Sequence, residues 1–229
     1  MQIVLGSRSP RRRELLESVV GVGRLTVHPP LQSDEQGFEN LTDRTAIRQR
    51  LTSIVDTKMA QVMSELAPVR PSVSAECCLV TADTIVVVDD QCAGTRVLGQ
   101  PGSDHWRSEV RDWMLRFYSA GTHEVWTGFR LTCGERAHEQ IVTTQVRFCK
   151  LNESLVDRYL ATEESVGKAG GYAIQGAAAA FVEGIKGSLT NVIGLPLMEV
   201  VRAMESIGVQ IPDVERQTGI PERIQQGTE

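Results

Sequence analysis

Residues 79–90 read LVTADTIVVVDD, a run of β-branched residues closed by a turn signal. The pattern predicts a strand, and a central one. Asp83 interrupts it. A carboxylate flanked by VTA and TIVVV must be paired, metal-bound or set at a strand end that opens into a cleft, because burying an isolated charge is costly. A salt bridge or a set of backbone donors would satisfy it equally well as a structural feature. The stretch therefore predicts a β-rich centre and leaves two roles open for its acid.

Toward the N-terminus, IVL reads as a short strand running into Ser9-Pro10, an N-cap side chain followed by proline at the first helical position. The helix extends to about residue 20, with Leu15, Leu16, Val19 and Val20 on one apolar face. Arg12 falls near the centre of that face, whereas Arg13 is displaced toward Glu17, four residues on. Cations fill the first turn, where unpaired amides and the helix dipole favour acids. After a loop containing QSDEQGF, a helix is expected from about Asp43 to Leu66, with Ile47, Leu51, Ile54, Val55, Met59 and Val62 on a stripe. Lys58 lies on that stripe and needs an anion or a route to water.

Downstream, Trp106, Val110, Trp113, Met114 and Phe117 mark an amphipathic helix ending near Gly121. HEVWTGFRLT and IVTTQVRFCK suggest an antiparallel hairpin, and NESLVDRYLAT a short helix. A glycine-rich stretch precedes a helix from about Pro196 to Ile207, and the residues after Pro212 read as a loose polar tail. Strands and helices alternate early while a hairpin comes late, which predicts an α/β fold with a mixed sheet. Residues 1–212 are expected to form one domain and 213–229 a polar tail.

The net charge of −5 argues against general nucleic-acid binding. No apolar run is long enough for a membrane helix, and Arg8 with the arginines after Pro10 breaks any signal-peptide core, so a cytoplasmic protein is expected. The five cysteines lack paired C-x-x-C spacing and read as reduced thiols.

Four features break local rules: Arg11 with Arg12 at a helix start, Glu35 in an acidic loop, Lys58 on an apolar stripe, and Asp83 in a strand. Together they supply cations and carboxylates, the means of binding a phosphate chain and a divalent metal. Each also has a plain reading, as solvated arginines, an exposed loop acid, a lysine whose stem covers apolar surface, and a paired aspartate. The P-loop, the dinucleotide-binding glycine motif and the nucleophile elbow are all missing. A phosphate site here would have to use the SRSP turn, with its backbone amides, two hydroxyls and guanidinium forks.

In this order, GSRSPRRREL (6–15), SDE (33–35), TKMA (57–60), TADTIVV (81–87) and GKAGGYAIQGAAAAFVEGIKGSLTNVIGLPL (167–197) resemble the motifs of the Maf family of nucleoside triphosphate pyrophosphatases, over roughly residues 2 to 207. The resemblance implies an elongated mixed β-sheet with flanking helices, two lobes around a central cleft, as in inosine triphosphate pyrophosphatase-like folds. It implies Asp83 as the catalytic proton acceptor, and Ser7, Ser9, Arg11, Arg12, Glu35 and Lys58 as lining a triphosphate and metal site, with Glu35 and Asp83 the ligands of Mg²⁺ or Mn²⁺. Lys168 is expected to bind phosphate, and Arg11, Thr84 and Gln175 to govern substrate choice. The I-Q-G form is similar to the branch acting on dTTP and UTP, so hydrolysis of these or modified pyrimidine nucleotides to monophosphate and pyrophosphate is expected, a nucleotide-pool housecleaning role. The partner is a nucleoside triphosphate, with no nucleic acid or membrane, and a homodimer is compatible with the pattern. The sequence departs from the family at Gly99-Gln100-Pro101, where a lysine is usual in place of Gln100, and at Gly167, where an acid is usual. Arg96, Lys168 and Lys186 are candidates to replace the lost cation. Gln100 also keeps a second reading open, a nucleotide-binding regulator of division or septum formation with weak or no catalysis.

Overall fold

The computed structural model describes residues 1–31, 37–68, 77–92 and 94–211. The acidic loop carrying Glu35 and the polar C-terminal segment from Pro212 lie outside the described residues. In chain order the elements are β1 (Gln2–Leu5), α1 (Pro10–Val20), β2 (Leu25–Val27), α2 (Arg44–Leu66), β3 (Cys77–Asp90), β4 (Gly94–Leu98), α3 (Trp106–Trp113), β5 (Thr122–Cys133), β6 (Arg136–Phe148), α4 (Glu153–Leu160), β7 (Val182–Lys186), α5 (Leu189–Ile193) and α6 (Leu197–Ser206). A π-helical turn, Met114–Tyr118, continues α3, and 3₁₀ turns lie at Ala169–Gly171 and Ala177–Phe181.

The sheet is mixed, in the order β2-β1-β3-β5-β6-β7, with β4 also pairing β3. The β2–β1–β3 pairings are parallel and the others antiparallel. Strands β3 and β5 form its spine. At about 3.4 Å per residue the 14 residues of β3 span about 45 Å, which makes the sheet elongated.

One edge of β3 is occupied by β5, from Leu79 to Val87. The other is shared. Strand β1 pairs with Cys77–Val80, and β4 takes over at Val86–Asp90. Thr81–Ile85 thus have no strand on that side among the described residues, just past the C-terminal end of β1. The gap sits where a parallel neighbour gives way to an antiparallel one, the kind of switch point at which open α/β sheets bind ligands.

The core is interrupted at the same level on both faces. On one face Cys78, Val80 and Ala82 pack with Leu16, Val20, Leu195, Val200 and Met204, while Val86 and Val88 join a separate cluster with Val110, Trp113, Tyr118, Phe148, Tyr159 and Tyr172. Thr84 falls between them. On the other face α2 lies along the strand. Met59 and Val62 cover Leu79, Ile47 and Leu51 cover Ile85 and Val87, and Asp83 falls between. Within β3, Asp83 and Thr84 are the two half-buried residues of a strand otherwise buried from Cys77 to Val88.

The helix starts follow the local chemistry. Ser9 Oγ accepts from the Arg12 amide at 3.4 Å with Pro10 following, and the Asp43 carboxylate accepts from the Ala46 amide at 2.8 Å. The edge strands β2, β4 and β7 carry no clear sequence signal, being three to five residues long. The helix expected to run unbroken toward Gly121 changes to π geometry at Met114. That shift lets Met114 and Tyr118 be fully buried together with Val110. Among the described residues, no helix is long and apolar enough to cross a membrane.

Candidate active site

The opening motif folds into a turn at the mouth of the β3 gap. After Leu5 the chain leaves the sheet, with the Gly6 amide bonded to Val80 O at 2.8 Å, and enters α1 at Pro10. Ser7 is buried, and its Oγ accepts from the Ser9 amide and from Arg12 Nη1, both at 3.2 Å. Arg12, buried on the apolar face as its position on the wheel predicts, ties three segments together. Its Nε donates to Gly194 O at 2.9 Å, Nη1 to Ser7 and Nη2 to Thr84 Oγ1 at 2.9 Å. Thr84 Oγ1 also lies 2.9 Å from Thr127 Oγ1 and 3.3 Å from Gly194 O. Arg13 instead faces outward and pairs with Glu17 at 3.7 Å.

Asp83 points to the opposite face from Thr84, toward α2. The residue directly across from it on β5 is Gly128, where an added Cβ would come 3.1 Å from Leu51 and 3.2 Å from Val55. Bare backbone at 128 lets α2 lie close to the sheet, which the Thr81 hydroxyl secures by donating to Val55 O at 3.2 Å. Lys58, three residues beyond Val55, then reaches Asp83, with Nζ 2.7 Å from Oδ1. The side chains are 14% and 17% exposed, so the pair is screened from bulk water yet open to the gap. Asp83 Oδ2 has no partner among the described residues.

The glycine-rich segment closes the other end of the site. Gly170 has φ 69°, and a Cβ there would collide with Val86 and the Tyr118 hydroxyl, so this close, left-handed turn requires glycine. The Gly170 amide bonds to Gly99 O at 2.9 Å, which sets the glycine turn against the Gly99-Gln100-Pro101 segment. Gln175 is exposed, in a turn closed by the Gly176 amide on Ala173 O at 3.1 Å. Burial lowers the Arg11 guanidinium below its ordinary value, partly offset by the nearby Glu164 carboxylate.

Ser7, Ser9, Arg12 and Thr84 are thus joined by direct contacts, and Lys58 joins Asp83 beside them. Arg11, half-buried, makes no hydrogen bond to them among the described residues and feels the charge of Glu164. Lys168 makes its own bond to Val166 O at 3.3 Å, and Glu35 lies outside the described residues. Of the other candidate replacement cations, Arg96 pairs with Asp90 at 3.3 Å. Two further participants, Gly194 and Asn191, lie in the glycine-rich motif of residues 167–197, where their residue types alone gave them no role. Gly194 offers a carbonyl from 182 residues away. Asn191, fully buried, donates to Val125 O and Thr144 Oγ1, both at 3.0 Å, and so fixes the α5 tip that presents it.

The donor set bears on a divalent metal. Among the described residues, which leave out Glu35, no group of three or more His, Cys, Asp or Glu side chains is assembled. A Mg²⁺ that takes one or two carboxylates and completes its shell with phosphate oxygens and water fits an aspartate with one oxygen open.

Three relatives are similar along nearly their whole length, and each bears the name dTTP/UTP pyrophosphatase. That of Syntrophus aciditrophicus (strain SB) is 38% identical over 209 residues, covering 90% of each chain. That of Syntrophotalea carbinolica (strain DSM 2380 / NBRC 103641 / GraBd1) is 39% identical, covering 90% of this chain and 84% of the relative. That of Pyrococcus furiosus (strain ATCC 43587 / DSM 3638 / JCM 8422 / Vc1) is 34% identical, covering 89% and 94%. The Maf-like protein model matches residues 2–207, and with it the chain belongs to the Maf-like protein family.

Proposed function

We propose that the protein is a nucleoside triphosphate pyrophosphatase acting on dTTP and UTP, releasing the monophosphate and pyrophosphate and so clearing nucleotides from the pool. The observation that carries this reading is Asp83, set in the unpaired stretch of β3 with one oxygen on Lys58 and the other open. The names of the relatives agree with hydrolysis and do not favour a regulator without catalysis.

The reaction needs a nucleophile at the α-phosphorus and charge compensation along the phosphate chain. Asp83 takes a proton from the attacking water through its open oxygen while Lys58 holds the other, which fixes the carboxylate. As the new P–O bond forms, the bond from the α-phosphorus to the bridging oxygen breaks, and the electron pair leaves with pyrophosphate. Arg11, the Ser7 and Ser9 hydroxyls and Lys168 bind phosphate oxygens as charge builds on the leaving group. Arg12 supplies positive potential from its buried position and holds the opening turn, β3 and the α5 tip in register. A Mg²⁺ or Mn²⁺ held by Asp83 and Glu35 would neutralise the phosphate chain and acidify a bound water. Arg11, Thr84 and Gln175 select the base, the glutamine amide offering a donor and an acceptor to a pyrimidine edge. Lys168 is the candidate among Arg96, Lys168 and Lys186 to replace the cation lost at Gln100.

Incubation of the purified protein with each triphosphate and Mg²⁺, followed by separation of products, tests the reading. Pyrophosphate with UMP or dTMP is expected. Orthophosphate as first product, or no reaction with any nucleotide, would overturn it.

A further inference from the structure

Glu164 has no part in the chemistry above, yet its carboxylate is fully engaged. Oε2 accepts from the Ala177 amide at 2.7 Å, and Oε1 from the Tyr159 hydroxyl at 3.1 Å and the Ala178 amide at 3.5 Å. Those amides begin the 3₁₀ turn Ala177–Phe181, whose N-cap is Gly176 and makes no side-chain cap of its own. A Cβ at 176 would fall inside the Glu164 carboxylate, so glycine alone lets the acid close over the turn. Gly176 in turn closes the turn that carries Gln175. A single carboxylate therefore clamps the segment presenting Gln175.

We infer that Glu164 is a positioning residue for base selection, holding the turn that carries Gln175 in the arrangement that reads a base. This rests on the reading of Gln175 as a base selector given above. Neutral Glu164→Gln keeps the size of the side chain but turns an amide donor toward amides that need acceptors.

The ratio of kcat/KM for UTP over GTP is expected to fall about tenfold in Glu164→Gln, almost entirely through KM, with kcat for UTP altered less than threefold. Amide hydrogen exchange at Ala177 and Ala178 should quicken while the melting temperature stays within a few degrees of wild type. Adding Glu164→Gln to Gln175→Ala should lower the ratio no further than Gln175→Ala alone. An unchanged ratio overturns the inference, as does an equal loss for both nucleotides, which would mark Glu164 as merely structural. Should the wild type hydrolyse neither nucleotide, the hydrolase reading fails, and the same ratio taken as Kd by calorimetry decides the role of Glu164 separately.

Discussion

Strand β3 carries two buried or half-buried aspartates seven residues apart, and their surroundings differ in kind. Asp90, 4% exposed, is paired by Arg116 at 2.8 Å and Arg96 at 3.3 Å, and its Oδ1 accepts from the Cys92 amide at 3.0 Å. Asp83 has one lysine and one oxygen without a partner among the described residues. Asp90 stands where β4 fills the edge of β3, and Asp83 where no strand does. A carboxylate whose oxygens are all engaged closes a turn. One held on a single side, in a gap between two clusters of the core, keeps an oxygen for chemistry. Proximity to a cation does not separate the two, but the open valence and the missing strand do.

The largest effect that would sharpen this contrast is on turnover. Asp83→Asn should lower kcat by about 10³- to 10⁴-fold, the upper range for a proton acceptor. Its stability should change by less than about 1 kcal/mol, because the amide oxygen still accepts from Lys58. Chemical denaturation beside steady-state kinetics reads both, and a large loss of stability with residual turnover would erase the difference between the two acids.

Asp90→Ala should show the reverse. Removing the centre of a buried charge cluster is expected to cost about 2–3 kcal/mol in urea unfolding, less than for a fully buried pair because Arg96 and Arg116 are about half exposed and rehydrate. kcat should remain within twofold. A drop of tenfold or more in kcat would break the comparison.

Lys58→Met should lower kcat/KM about 10²-fold, the loss of one charge-stabilising donor. The methionine still fills the stripe of α2 but leaves the half-buried Asp83 carboxylate without its cation, so stability should fall by about 1–2 kcal/mol. Equal kinetics in wild type and Lys58→Met would reduce the ion pair to a structural contact.

A further effect concerns pH and belongs to the Asp90 end of the molecule. His123 is buried among Tyr118, Phe148 and Tyr172, with Nε2 2.8 Å from the Tyr172 hydroxyl, and burial lowers its pKa to about 3. The unfolded chain binds a proton at this residue near pH 6.5 and the folded chain does not. Stability should therefore fall as pH drops from about 6.5 toward 3, by up to about 1.4 kcal/mol per unit from this group. His123→Gln should flatten that slope in urea titrations across the range, and an unchanged slope would remove His123 as its source.

Much of this was legible in the sequence, for reasons tied to particular elements. Periodicity marks α1 and α2 because each buries one face continuously, and the same wheel places Arg12 inward and Arg13 outward. A run of β-branched residues marks β3, and the cost of burying a charge singles out Asp83 within it. The short edge strands β2, β4 and β7 bury little and so carry no pattern. The contacts of the Arg12–Thr84–Gly194 knot were not legible, although all three residues lie in the quoted motifs, for another reason. Its partners lie 72 and 182 residues from Arg12, and one is a backbone carbonyl that any residue type could offer. Glu164 reads as an ordinary acid in a polar turn, because what distinguishes it is a pair of amides thirteen and fourteen residues on.

The most direct test of the account is single-turnover hydrolysis of UTP with Mg²⁺ in heavy-oxygen water, run on wild type and Asp83→Asn side by side. The account predicts label in UMP and none in pyrophosphate, at a rate reduced at least about 10³-fold in Asp83→Asn with the fold intact. Label in pyrophosphate, or equal rates in the two proteins, would contradict it.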